Sequence, residues 1–362
     1  MSVIGARVRR IEDRALLAGR GQFVDDIALA GALHVAFVRS PHAHALIRGI
    51  DAAAARAVPG VAAVLTLDDL RPVLAEPRLP RNPKATRQPE GSTPFPLAAR
   101  EVAFVGEAVA LVAADSRYAA EDAAALVAVE YETLPAVSDC RDAAADGAPR
   151  VRLEAANVLA RFAVAYGDAE AAFRGAAQVV AVTLAQHRGG GHPIEGRGIA
   201  AELRAGGAVC VWASTQLANE LHQAIADMLG LDEHRLRVVT PDVGGGFGPK
   251  YCVYPEEIAV AAAAMRLGRS LKWIEDRREH FLAAIQERDQ HWSMEMALDG
   301  EGRIRGIRGR MLYDQGAYAL KDVNLPYNSA TSVTGPYIVP AFAMEVTVAL
   351  TNKAPASSVR GA

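Results

Sequence analysis

Residues 236–267 constrain this chain more than any other stretch. Leu236-Arg237-Val238-Val239-Thr240 reads as a β-strand, and a helix-like stretch opens at Pro255-Glu256-Glu257. Between them lies Pro241-Asp242-Val243-Gly244-Gly245-Gly246-Phe247-Gly248-Pro249-Lys250. The chain must therefore pass from strand to helix through backbone that is almost bare of Cβ atoms. Such backbone can approach a ligand closely and aim its N–H groups at an oxyanion. Two nucleotide patterns fail here. A P-loop needs Gly-Lys-Ser/Thr, whereas Lys250 stands between Pro249 and Tyr251. The G-x-G-x-x-G spacing, started at Gly244, meets Pro249 where its last glycine should be. Taken alone, the run equally fits a tight turn that holds nothing.

With 362 residues there is material for two or more domains with real cores. A net charge of −3 gives no electrostatic case for nucleic acid or an anionic membrane. The N-terminus has no apolar signal core, and no apolar run approaches the length that spans a bilayer. Cys140, Cys210 and Cys252 are too dispersed for a local iron–sulfur or zinc knuckle, or for a disulfide framework. A reducing cytoplasm is the default expectation.

From Phe23 to about Val137, short strands alternate with helices. Strands are expected at Leu33–Val38, Ala45–Ile50, Val61–Thr66, Val102–Val105, Ala108–Ala113 and Val127–Tyr131. Helices are expected at Ala52–Val58 and, capped by Asp115 or Ser116, through Leu126. Residues 71–96, rich in Pro and Arg, read as a long loop with a partner-facing surface. Residues 138–157 read as a linker. Beyond Val158, strands are expected at Gln178–Ala185 and Ala208–Ala213, and a helix from Thr215 to a stop at Gly230. The helix Pro255–Leu267 follows the glycine run, and strands follow at Trp292–Leu298, Ile304–Leu312 and Phe342–Leu350.

Five segments occur in a fixed order: Arg39–Ala45, Val243–Lys250, Lys272–His280, Asp314–Tyr318 and Thr351–Pro355. Together they resemble the molybdopterin-binding large subunit of the xanthine dehydrogenase/aldehyde oxidase/aerobic carbon monoxide dehydrogenase family. The likeness runs from about Gly5 to Ala362 and matches the N-terminal half only, since family large subunits run to roughly twice this length. It implies an α+β chain. An α/β hammerhead domain occupies residues 1–137, with its core at about 19–134. A linker at 138–157 follows, then the first molybdenum-cofactor-binding α+β domain at 158–362, incomplete at its C-terminal end. A split subunit or a truncated product is the expectation. In either case this chain alone should not turn over, and apolar surface should be exposed near Phe342–Leu350.

The resemblance also assigns residues. Gly245, Gly246, Phe247 and Gly248 would lie beside the oxo ligand of the molybdenum, with the Phe247 ring walling the substrate pocket. The alternative makes Phe247 a core anchor at a tight turn. Gln216, directly after a strand, sits where open α/β folds place ligand groups, and its carboxamide both donates and accepts; a capping glutamine is the alternative. Arg360, a rigid fork of donors, would approach the molybdenum if a second chain completes its loop. In His192-Pro193-Ile194-Glu195-Gly196-Arg197, Glu195 and Arg197 match a Met-Glu-Pro-Arg-like family segment, while His192 and Gly196 depart from it. A Glu–Arg contact within that segment is an equal reading. Asp276, Arg277, Arg278, Glu279 and His280 read as a solvated helix face with local ion pairs. His42 and His44 read as hydrogen-bonded rather than metal-bound, Asp314 and Tyr318 as architectural, and Lys250 as solvent-exposed unless it touches a cofactor or interface.

The activity implied is oxidation of an aldehyde or N-heterocycle with water as oxygen source. The cofactor would be molybdenum–molybdopterin, possibly in its cytosine dinucleotide form. Electrons would pass to an iron–sulfur subunit and an FAD subunit, because this chain has no cluster cysteines. Carbon monoxide oxidisers of the family carry a copper-binding Cys after the corresponding Arg; here Gly361 follows Arg360. Two other classes stay open: a non-catalytic scaffold, and a nucleotide-binding domain using the glycine run.

Overall fold

The computed structural model describes residues 4–81, 88–321 and 323–359, apart from the side chain of residue 205. Its strands are β1 (Leu33–Arg39), β2 (Ala45–Asp51), β3 (Val61–Leu65), β4 (Glu101–Val102), β5 (Ala108–Ala114), β6 (Ala128–Thr133), β7 (Val158–Tyr166) and β8 (Gln178–Gly189). There follow β9 (Gly198–Leu203), β10 (Val209–Ala213), β11 (Leu236–Val239), β12 (Leu271–Ile274), β13 (Glu287–Leu298), β14 (Ile304–Asp314) and β15 (Phe342–Ala349). They form three sheets: a seven-stranded one in the order β11-β10-β9-β12-β1-β5-β3, a five-stranded β7-β15-β14-β13-β8, and a small β4-β2-β6.

The largest sheet mixes the two halves of the chain. N-terminal β1 runs parallel to β12 with Leu33 opposite Leu271, and β12 continues into β9 and β10. One apolar core spans the junction: Leu33, Phe37 and Leu111 pack in the same cluster as Ile199, Trp273 and Leu221. The rings of Phe37 and Trp273 meet edge to face at 5.2 Å. Much of this core rests on the helix Pro255–Leu267, in which every residue from Glu256 to Ala264 is buried. An alanine-rich helix with apolar residues all round has no solvent face, so it can lie deep against a sheet. Pro255 at its first turn and Gly268 in the left-handed region at its end fix its length.

Several expected elements stand at or near their predicted places: β1, β2, β3, β5, the Arg117–Ala125 helix capped by Ser116, and the helix stopped by Gly230. Three expectations are corrected. The stretch from Phe342 to Leu350 is not exposed: Phe342, Met344, Val346, Val348 and Leu350 are core residues, covered by the Asn324–Thr331 helix and neighbouring segments. Within residues 71–96, Leu79, Gln88, Ser92 and Thr93 are buried, so this loop packs inward over much of its described length. The stretch 138–157 carries a short helix, Cys140–Ala143, and buries Val151, whose carbonyl accepts from Asn352 Nδ2 at 2.9 Å.

A buried carboxyl joins the sheets. Glu107 accepts from the Ala103 amide at 2.6 Å and from the Tyr318 hydroxyl at 2.8 Å. Burial pushes its pKa up to about 7. A carboxyl raised in the folded state holds its proton there when the unfolded chain has already lost it. Stability therefore declines as pH rises from the ordinary carboxylate range toward 7, and is flat above that. Glu107→Gln keeps a carbonyl oxygen for the Ala103 amide, turns its NH2 toward the Tyr318 hydroxyl, which can rotate to accept from it, and removes the titration. We expect it to raise stability at pH 8 by on the order of 2 kcal/mol and to leave it unchanged near pH 4. Urea unfolding at the two pH values measures this; equal effects at both would disprove it.

Candidate functional site

Strands β10 and β11 are parallel neighbours, with Val209 opposite Leu236 and Trp212 opposite Val239. Their C-terminal ends therefore open on the same edge of the sheet, where α/β folds gather ligand groups. The segment after β10 carries Ser214, Thr215 and Gln216; the segment after β11 carries the glycine run. This brings Gln216 to the run, although the two are some 30 residues apart (|i−j| = 32): its Oε1 accepts from the Gly248 amide at 3.1 Å. The helix begins only at Ala218, so Gln216 lies in the turn before it rather than in its first turn. The Gln216 amide donates to the Lys250 carbonyl at 2.8 Å, closing the two segments on each other. With its oxygen facing Gly248, the carboxamide retains two N–H donors for a ligand.

The glycines here are required by close approach. A Cβ at Gly246 would stand 2.6 Å from the Gln216 carboxamide, and one at Gly248, where φ is +117°, 1.9 Å from the Ser358 carbonyl. Phe247 itself is left-handed at φ +55°, and its side chain is half exposed. A bulky residue is held there only when its surroundings dictate it, and such strain gathers at ligand sites. The core-anchor reading of Phe247 is thereby corrected. Arg360 lies outside the described residues.

One carboxylate oxygen organises the loop. Glu195 Oε2 accepts from Ser214 Oγ at 2.6 Å, from the Gly244 amide at 2.7 Å and from Lys250 Nζ at 2.8 Å. Lys250 is therefore not solvent-exposed; its side chain is completely buried. Burial pushes its ammonium below the ordinary lysine pKa, against the opposing pull of Glu195. Glu195 and Arg197 do not pair with each other. Arg197 points the other way, donating to Glu275 at 2.7 Å and to Glu256 at 3.2 Å. The charged run Asp276–His280 is corrected in part: Arg277 and Arg278 are exposed, whereas Asp276 and Glu279 are half-buried and His280 is buried. Asp276 caps its helix, Glu279 holds Arg39 at 2.9 Å, and buried His280 bridges Glu275 and the Gly191 carbonyl.

The segment 190–197 lies against the glycine run. A Cβ on Gly191 would meet Pro249 at 2.8 Å, and one on Gly245 would meet Pro193 at 3.0 Å. Arg277 fixes this segment through the Pro193 and Ile194 carbonyls. Beside it opens a cleft lined by Arg188, His192, His280, Phe281 and Gln286. His192 sits edge-on to Phe281 at 4.8 Å, and burial, with His280 and Arg277, lowers its pKa. Sequence reasoning missed the Glu195–Lys250 and Arg197–Glu256–Glu275 connections. The available signal was Lys250 itself, flanked by Pro249, Tyr251 and Cys252 with no charge nearby.

Elsewhere, His44 is buried with Nδ1 2.8 Å from the Pro135 carbonyl, and the His42 ring lies against Tyr131. Asp314 accepts from the Gly316 amide and the Thr351 hydroxyl at 2.8 and 2.6 Å, an architectural role. Among the described residues, Asp139, Cys140 and His291 bring ligand atoms within 4.8 Å of one another. Their chemistry is already committed: Asp139 is held by Arg141, and burial pushes the Cys140 thiol up to about 12.

Two family models match the chain. "Molybdopterin cofactor-binding domain" covers residues 153–362, and "Aldehyde oxidase and xanthine dehydrogenase, a/b hammerhead domain" covers residues 18–135. The chain is 39% identical to the nicotine 6-hydroxylase large subunit of Paenarthrobacter nicotinovorans, over 99% of itself and 44% of that protein. It is 35% identical to the carbon monoxide dehydrogenase large chain of Afipia carboxidovorans, over 97% of itself and 44% of that protein. Among solved structures, quinoline 2-oxidoreductase from Pseudomonas putida 86 superposes with a TM-score of 0.90 at 37% identity, covering 98% of this chain and 45% of that one. The chain thus spans a little under half the length of these relatives.

Proposed function

The chain belongs to the xanthine dehydrogenase/aldehyde oxidase/aerobic carbon monoxide dehydrogenase family of molybdopterin-binding large subunits, and from that premise we propose that it forms the cofactor-holding half of a hydroxylase. The reaction oxidises an aldehyde or an N-heterocycle. Each turnover adds one oxygen from water to carbon and releases two protons and two electrons. The observation that carries this reading is the apposition of Gln216 and the glycine run, at 3.1 Å from Gln216 Oε1 to the Gly248 amide.

The residues present fit a pterin cofactor. A Cβ at Gly244, Gly245, Gly246 or Gly248 would crowd the loop, and the amides of Gly245 and Gly246 and the Gln216 N–H groups are donors suited to phosphate and oxo oxygens. When bound, the molybdenum cofactor supplies the two-electron redox centre. Gly245 and Gly246 would offer main-chain donors, Gly248 would hold the Gln216 carboxamide in place through its own N–H, and Gln216 would orient an oxygen ligand. The exposed Phe247 ring would wall off water and align a flat substrate. Arg360 would add a fixed fork of donors. The pterin is the plain or the cytosine dinucleotide form. Electrons leave to an iron–sulfur subunit and an FAD subunit in a cytoplasmic complex; among the described residues no helix is long and apolar enough to cross a membrane. The chain's partial span of its relatives supports a second reading, a non-catalytic assembly part of such a complex.

Elemental analysis decides between them. The complex purified from its own host should carry about one molybdenum per copy of this chain, and Gln216→Ala should reduce that content several-fold while the chain stays folded, losing no more than about 1–3 kcal/mol for the Gly248 amide left without its acceptor. A complex free of molybdenum and pterin would refute the proposal.

A further inference from the structure

The five-stranded sheet has one apolar face, and that face runs out of cover at β8. Leu184 stands opposite Trp292, which stands opposite Met311, which stands opposite Val346. Val182 and Val180 end the neighbouring rows, opposite Met294 and Met296. Met311 and Val346 are each 1% exposed, whereas Leu184 is 50%, Val182 45% and Val180 43% exposed. The residue types stay apolar along each row while the cover disappears.

The edge is bare as well. Among the described residues β8 is the last strand of its sheet, with β13 its one neighbour. It is twelve residues long, and every residue from Gln178 to His187 is exposed. Native edge strands of this length carry Pro, Lys, inward charges or bulges that block pairing. Gln178–His187 contains no Pro, Lys, Asp or Glu, and its pairing with β13 shows no register shift.

We propose that the free edge of β8 receives an extended strand from the portion of a full-length large subunit that this chain does not span. The inference rests on the reading of this chain as part of such a subunit. The chain is matched over 98–99% of its own length but spans only 44–45% of two relatives. Their remaining polypeptide must pack against something. A row of unpaired main-chain groups is satisfied by another strand, and its register is set by apolar side chains falling on the ends of the three rows.

The test co-expresses this chain with the portion of the Paenarthrobacter nicotine 6-hydroxylase large subunit that it does not match. We expect the two to co-purify and the amides of Gln178–His187 to exchange at least tenfold more slowly in the complex. Val182→Lys/Leu184→Lys should weaken the complex at least tenfold. Both positions are half exposed, so the variant should fold, as its circular dichroism would show. Thr183→Lys, on the opposite face, should weaken it much less. Absence of a complex, unchanged exchange in β8, equal binding by the double variant, or a homodimer sealed through β8 would each overturn the assignment. Molybdenum content, measured separately, reports on the functional reading and not on this surface.

Discussion

Replacing Arg197 with methionine should cost about 3–5 kcal/mol at neutral pH, the penalty for stranding buried carboxylates. The Arg197 side chain is 2% exposed and is shared between Glu275 and Glu256, with its guanidinium 4.0 Å from the centre of the Tyr254 ring. Glu256 also holds Arg39 at 2.9 Å, and Glu275 holds His280 at 2.9 Å. Burial alone would raise both carboxyls, but Arg197, joined by Arg39 at one and His280 at the other, outweighs it and holds both below the ordinary range. Groups depressed in the folded state stabilise above the unfolded carboxylate pKa and lose that contribution as pH falls through the folded value. The penalty of Arg197→Met should therefore be largest above about pH 5 and shrink in acid, where the stranded carboxyls take up protons. Urea unfolding at pH 7.5 and pH 4 measures both. A loss under about 1 kcal/mol at pH 7.5, the scale of an exposed pair, would mean the network is not the buried unit described. Arg197→Lys should fall between, because a point charge cannot serve two carboxylates as a planar fork does.

What the sequence revealed follows from how local each signal is. The Pro255–Leu267 helix was legible because its start, its composition and its length are all in the segment itself. So was the stop at Gly230, which is left-handed at φ +60°. Strands β9 and β12 were not legible. Gly198–Leu203 and Leu271–Ile274 are short and lie inside the largest sheet, β9 with its first four residues fully buried, so alternation is lost. Strand β7 escaped notice although Phe162, Val164 and Tyr166 alternate. The exposed apolar surface was misplaced for a related reason. β15 and β8 are both rich in Val and Ala, and only sheet order makes one central and the other an edge. At the candidate site, the glycine run and Gln216, which the fold brings together, were readable by type and position. Glu195, Ser214 and Lys250 were not, because a carboxylate that collects donors from three segments has no signature along the chain.

That collecting oxygen leads to the second large effect. Lys250→Met removes the cation from Glu195 Oε2 but keeps the bulk of the buried stem, leaving Ser214 and the Gly244 amide as its remaining donors. The loss should be about 2–4 kcal/mol, since a mostly buried carboxylate is left without its counter-charge. Glu195→Gln strands the opposite partner. Lys250 is already pushed toward its neutral form by burial, so it can give up its proton, and this variant should lose less at pH 9 than at pH 6. The double variant leaves neither charge alone and should be more stable than the two single losses summed, by about 1–3 kcal/mol of coupling. Cofactor retention then separates packing from positioning. The Glu195 oxygen fixes the Gly244 amide at the start of the run, so if the loop presents its N–H groups to a pterin, the double variant should hold molybdenum poorly even where its stability is largely restored. Additive stabilities would show that the two side chains act apart. Full molybdenum content in a destabilised Lys250→Met protein would show that this junction supports the fold without shaping the cradle.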